Sequence, residues 1–100
     1  MTALLSRRAE RDLQSAIRWI AADNPTAARG LRDAVAKAAR QIGAHPLCGA
    51  ARPDLMDAEY RLFTLTGFPY VLVYNADRSP PLILRVLHGA RDLPDILRHS

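Results

Sequence analysis

The chain has one cysteine, one lysine and no apolar run of membrane length. Cys48 alone cannot close an internal disulfide, so a reducing cytoplasm is the expected setting. No stretch approaches the roughly 20 apolar residues of a membrane span. The segment Met1 to Arg8 has no hydrophobic stretch long enough for a signal peptide. A phosphate-binding glycine motif is absent. His45, His88 and His99 have no metal-ligand spacing, and no Cys/His pair supports zinc. Asp54, Asp57 and Glu59 read as a solvated loop, because no EF-hand or paired-carboxylate pattern surrounds them. No metal and no cofactor are therefore expected. Cys48 lies in a loop with no nearby pattern of an activated nucleophile. Repeats and low-complexity tracts are missing as well, and 100 residues suit one domain spanning 1–100 with a modest core.

Charge is present, and almost all of the positive charge is arginine. The formal net charge is +4, from 14 Lys+Arg against 10 Asp+Glu, and Lys37 is the one lysine. Arginine forms bidentate pairs with carboxylates and phosphates. Nucleic acid and acidic protein both remain open as partner classes, since basic charge by itself selects neither.

The hydrophobic pattern changes period once along the chain. Thr2 to Leu5 is a short apolar lead-in that suits an edge strand. Ser6 is a good N-cap for a helix from Arg7, in which Ala9, Leu13, Ala16, Ile17 and Ile20 recur at helical spacing. Trp19 falls at the border of that stripe. Asn24-Pro25 ends this helix and starts another, with proline at a position whose missing N–H costs nothing. Ala28, Leu31, Val35, Ala38 and Ile42 then make one narrow seam, and Gly43 followed by Pro46 reads as its stop. Helices joined by so short a turn are antiparallel neighbours. After a loop over 46–58, Tyr60–Leu65, Tyr70–Tyr74 and Leu82–His88 read as three strands of an antiparallel meander, broken by Gly89. A short helical tail from Asp92 follows. The expected architecture is α+β: an N-terminal helical hairpin packed on one face of a small antiparallel β-sheet.

Strand alternation places Arg61, Phe63 and Leu65 on one face of their strand, and Ile83, Arg85 and Leu87 on one face of theirs. A mid-strand arginine is costly under a helical layer, so both arginines are expected on the less covered face. Arg61, Arg85, His88 and Arg91 would there form a cradle able to hold a phosphate and move a proton. Alternatively, Arg61 and Arg85 pair with acidic residues, His88 bonds the chain end, and Arg91-Asp92 caps the tail. Glu59 alternates with Tyr60 and could share a face with Arg61, which makes a Glu/Arg/His set conceivable. Tyr60, Phe63, Tyr70 and Tyr74 either stack bases or pack the sheet, and packing is the commoner use. Trp19 is either a packing residue of the hairpin or a hot spot for a partner laid across the helices.

The chain also resembles a known family. The residues that carry the likeness are Ser6 before an Ala/Leu/Ile helix, Ile20-Ala21-Ala22-Asp23-Asn24-Pro25, Tyr60-Arg61, Pro69-Tyr70-Val71-Leu72-Val73-Tyr74, and above all the ending Ile83-Leu84-Arg85-Val86-Leu87-His88-Gly89-Ala90-Arg91-Asp92-Leu93. Together they resemble the ParE branch of the RelE/ParE toxins of bacterial type II toxin–antitoxin systems. The resemblance implies the hairpin-on-sheet toxin fold and a cognate ParD-like antitoxin whose C-terminal segment wraps the toxin. Operator DNA would be reached only through that antitoxin. It also implies DNA gyrase as the target, with no catalysis. RelE relatives instead cut mRNA in the ribosome, and in that alternative Glu59, Arg61, Arg85, His88 and Arg91 would carry the reaction. A relic that only binds antitoxin is the third alternative. RelE-type toxins usually carry a lysine-rich surface, which this chain lacks, and His88 belongs to the His-Gly-Ala-Arg-Asp ending common in ParE. Trp19, Arg61, Arg85 and Arg91 are the expected partner-binding residues.

Overall fold

The structure, a computed structural model, describes residues 1–92. The tail foreseen from Asp92 onward lies, beyond that residue, outside the described residues. Seven elements follow in order: β1 (Leu4–Leu5), α1 (Arg7–Ala21), α2 (Pro25–Ala44), β2 (Ala50–Ala51), β3 (Tyr60–Thr64), β4 (Tyr70–Asn75) and β5 (Leu82–His88). Both helices start where capping chemistry dictates. The Ser6 hydroxyl accepts the Ala9 N–H at 3.0 Å, and the Asn24 side-chain oxygen accepts the Ala27 N–H at 3.0 Å. Pro25 occupies the first turn of α2.

The strands form one sheet in the order β1-β5-β4-β3-β2. The three-strand meander β3-β4-β5 is its centre, and two short edge strands extend it. β2 pairs antiparallel with β3 through Ala50↔Leu62 and Ala51↔Arg61. β1 pairs parallel with β5 through Leu4↔Leu82 and Leu5↔Ile83, so the sheet is mostly rather than wholly antiparallel. The helices cover one face. Leu31, Val35, Ala38, Ala39 and Ile42 of α2 and Ala9 and Ala16 of α1 pack with Leu72, Tyr74, Ile83 and Val86. Leu31, Ile42, Leu72 and Ile83 are fully buried, each stabilising the fold by about 1.5–3 kcal/mol through removal from water.

Gly43 does not stop α2. The helix runs on to Ala44, and Gly43 is buried inside its last turn. A Cβ there would fall 2.7 Å from Thr2 Cα and closer still to the Met1 backbone. Glycine at this place lets the lead-in to β1 cross α2, and the Ala3 N–H donates to Ala39 O at 2.9 Å beside it.

A bulge changes the phase of β5. Val73 lies opposite Arg85 and Tyr74 opposite Ile83, leaving Leu84 as the extra residue. Ile83 therefore turns to the helices with Tyr74, while Arg85 and Leu87 stand opposite Val73 and Val71 on the other face. The expectation that Ile83, Arg85 and Leu87 share a face fails for this reason.

Candidate partner-binding surface

α1 runs along the edge of β5 that β1 leaves uncovered, and side chains take over where the strand ladder ends. Ser6 N–H donates to Ile83 O at 2.9 Å, and Ser6 Oγ donates to Leu84 O at 3.0 Å. Nearly two helical turns on, Asp12 Oδ2 accepts the Val86 N–H at 3.0 Å. The same carboxylate binds Arg85 through Nε at 2.8 Å and Nη2 at 3.3 Å. The Arg85 and Asp12 side chains are 23% and 17% exposed, so the pair is largely shielded from solvent. Arg85 does stand on the face away from the helical core, but it is not available to a cradle: its charge is engaged by Asp12 of α1, the pairing with an acidic residue given as the alternative.

The expected face of Arg61 is corrected. It lies opposite Tyr74, and Phe63 opposite Leu72, which places both on the helix-covered face. Arg61 Nη1 donates to the carbonyls of Gly49 at 2.8 Å and Leu47 at 3.3 Å. Tyr74 completes this clasp on the loop after α2. Its hydroxyl donates to Pro46 O at 2.6 Å and accepts the Gly49 N–H at 2.9 Å. Burial pushes the Tyr74 phenol above its ordinary pKa. Gly49 is required here, since a Cβ would lie 2.7 Å from the Tyr74 ring and from Leu62 O. Arg61 Nε is buried with no hydrogen-bond partner among the described residues.

The end of β5 forms a third local network. The His88 N–H donates to Asp92 Oδ2 at 3.0 Å, and His88 Nδ1 accepts the Arg91 N–H at 3.1 Å. Arg91 Nε donates to Asp92 Oδ1 at 3.1 Å. Desolvation pulls the Asp92 carboxyl upward, but the Arg91 and His88 contacts outweigh it and its pKa lies below the usual range. Tyr70 meets the His88 ring edge-on, with centroids 5.4 Å apart.

These three networks are separate. Arg61 pairs with Tyr74 and His88 with Tyr70, so strand spacing and rise put Arg61 and His88 about 16 Å apart. Only His88 and Arg91 of the proposed cradle are brought together. Three of the four strand aromatics pack rather than line an open face: Tyr70 and Tyr74 are buried, and Phe63 packs against the core, while Tyr60 is partly exposed. Asp54 pairs with Arg52 at 3.2 Å on the surface, which holds its carboxyl below the ordinary range. Among the described residues, no group of three or more His, Cys, Asp or Glu is placed to hold a metal ion. No described helix is long and apolar enough to cross a membrane.

Trp19 is the outlier. It is 73% exposed on α1 and borders a groove of about 230 Å³ that Asp12, Ala16, Tyr70, Val86, Arg91 and Asp92 also line. An exposed tryptophan beside a half-apolar groove is a surface suited to a partner. Asp12 is the residue the sequence reading missed. It precedes the buried Ala16 by four residues and follows the buried Ala9 by three, so it borders the apolar stripe. A mid-strand arginine needing a carboxylate was the available signal.

Two helices over a sheet of this order define a ParE-like toxin fold. Residues 3–93 match the family described as ParE toxin of type II toxin-antitoxin system, parDE, and the chain belongs to that family. A solved structure titled "Chromosomal ParDE TA system from P. aeruginosa" is similar to it, with a TM-score of 0.74 over 88% of this chain and 95% of that chain. The identity is 20%, so the likeness concerns the fold. Comparison with curated proteins finds no match. As a member of this family the protein is the toxin of a ParDE type II toxin–antitoxin system, and a ParD antitoxin is its partner.

Proposed function

We propose that the toxin acts in the cytoplasm by binding DNA gyrase without catalysing a reaction, and that its antitoxin neutralises it by covering the groove beside Trp19. The observation that carries the non-catalytic reading is the dispersal of the ionisable groups. RNA cleavage through a 2′-hydroxyl needs a base, an acid and positive charge converging on one phosphate. Here Arg85 is held by Asp12, Arg61 by loop carbonyls, and His88 Nδ1 by the Arg91 N–H. Gyrase as the target is the activity associated with ParE toxins.

For the antitoxin, Trp19 is the apolar anchor and Arg91 the charge at the rim, the arrangement in which an amphipathic helix seats one face in a groove. Arg61 and Arg85 act one step back, holding the loop and strand that shape the surface. Calorimetry with the antitoxin encoded beside this toxin tests the docking. Trp19→Ala is expected to weaken binding at least tenfold while leaving the melting temperature nearly unchanged; equal affinity would remove Trp19 from the interface. Primer extension on translated mRNA tests the absence of catalysis. Codon-position cuts that vanish in His88→Ala would replace this reading with a ribosome-dependent nuclease.

A further inference from the structure

The overall balance of 14 basic to 10 acidic residues understates the local one. Arg7, Arg8, Arg11 and Arg18 on α1 and Arg29, Arg32, Lys37 and Arg40 on α2 are all exposed. None of the eight forms an ion pair among the described residues; the three pairs present are Arg52–Asp54, Arg85–Asp12 and Arg91–Asp92. The acids on the same helices are Glu10, Asp12 and Asp33, and Asp12 is already engaged by Arg85. Eight unpaired cations on the two helices thus face two uncommitted carboxylates there, with Asp23 in the turn between them a third.

Helical geometry sorts these cations into rows. At 3.6 residues per turn, Arg7, Arg11 and Arg18 fall within about 40° of one another. Their row lies opposite the stripe that buries Ala9 and Ala16, and Gln14 and Ser15 intervene with no apolar side chain. Arg29 and Arg32 line a shallow depression at the α1–α2 seam with Ile17 and Ala21, which sets α2 cations beside this row. From Arg7 to Arg18 the row is about 16 Å long, a length along which one DNA strand carries about five phosphates.

We propose that the outer face of the α1–α2 hairpin binds the phosphate backbone of duplex DNA irrespective of sequence. An acidic protein is the weaker fit. The row has no apolar anchor, whereas phosphate binding needs only charge with arginine's bidentate geometry. The face lies about a quarter turn around α1 from Trp19, so it is distinct from the groove and independent of the gyrase reading. Because a charge row reads no base edges, it leaves operator recognition to the antitoxin.

Fluorescence anisotropy with two unrelated labelled 20-base-pair duplexes tests this, across a salt series starting near 50 mM. Equal affinity for both duplexes is expected, with log K falling linearly in log salt. The double variant Arg11→Gln/Arg18→Gln is expected to lower the magnitude of that slope by about two, one for each lost phosphate contact. Arg52→Gln/Arg78→Gln, which removes the same charge elsewhere, is expected to leave it unchanged. Glutamine keeps helix propensity at positions 11 and 18, and a circular dichroism melt verifies the fold. Absence of binding at the lowest salt, or equal losses from both doubles, would overturn the proposal. So would a polyglutamate peptide that displaces the duplex at equal charge concentration, which would make the face a site for acidic protein.

Discussion

Removing Asp12 should cost this fold more than removing Arg85, although the two form one ion pair. Asp12 Oδ2 accepts both the Arg85 Nε–H at 2.8 Å and the Val86 N–H at 3.0 Å. Asp12→Ala therefore strands a guanidinium and an edge N–H of β5 together. A hydrogen bond to a charged group is worth about 1.5–3 kcal/mol, and an unsatisfied buried donor costs about 1–3 kcal/mol. The pair is only partly exposed, so solvent screening reduces the sum to about 2–4 kcal/mol. For a domain of this size that lowers Tm by about 4–8 °C per kcal/mol. Arg85→Ala leaves the Val86 N–H satisfied and should cost about 1–2 kcal/mol. Asp12→Asn keeps an acceptor for Val86 and should fall between the parent and Asp12→Ala. Urea melts of the parent, both single variants and the double give the coupling, expected at about 1–2 kcal/mol. Single variants that both melt within about 0.5 kcal/mol of the parent, or a coupling near zero, would refute the structural role of the pair.

The Tyr74 clasp and the end of β5 give two further expectations. Tyr74→Phe removes the bonds to Pro46 O and Gly49 N–H in a buried setting and should destabilise by about 1–3 kcal/mol, measured by chemical denaturation. The raised Tyr74 pKa means that its stabilisation is complete below the unfolded tyrosine value and is lost as pH rises through the folded one; Tyr74→Phe should flatten that alkaline loss. Asp92 has the opposite sign. Its folded pKa is depressed, so its contribution is present above the unfolded carboxyl value and is lost as pH falls through the folded one, and Asp92→Asn should shrink the acid limb of a Tm-against-pH profile.

The elements that could be read from the sequence are those fixed by local chemistry. Ser6 and Asn24-Pro25 mark helix starts through capping, and the dense aliphatic run Leu82–His88 is a strand whose bounds match the structure. The misreadings arise from long-range geometry. Gly43 looks like a helix stop in isolation, and only the crossing of Met1 and Thr2 over α2 explains it. The bulge at Leu84 carries no glycine or proline signal, yet it decides which of Ile83 and Arg85 meets the helices. Arg61 looked costly under a helical layer, but it sits at the border of the covered face, where loop carbonyls satisfy it. Trp19 could be placed at the border of the apolar stripe from sequence; its exposure, and the groove shared with Tyr70 and Val86, depend on how α1 lies across the sheet.

The most direct measurement is gyrase-dependent supercoiling of a relaxed plasmid with increasing toxin, followed on agarose gels with and without the antitoxin. Loss of supercoiling and accumulation of cleaved plasmid are expected at toxin levels comparable to gyrase. Equimolar antitoxin should restore activity, and Trp19→Ala should make that rescue incomplete. Unaffected supercoiling at a large excess of folded toxin would contradict gyrase as the target.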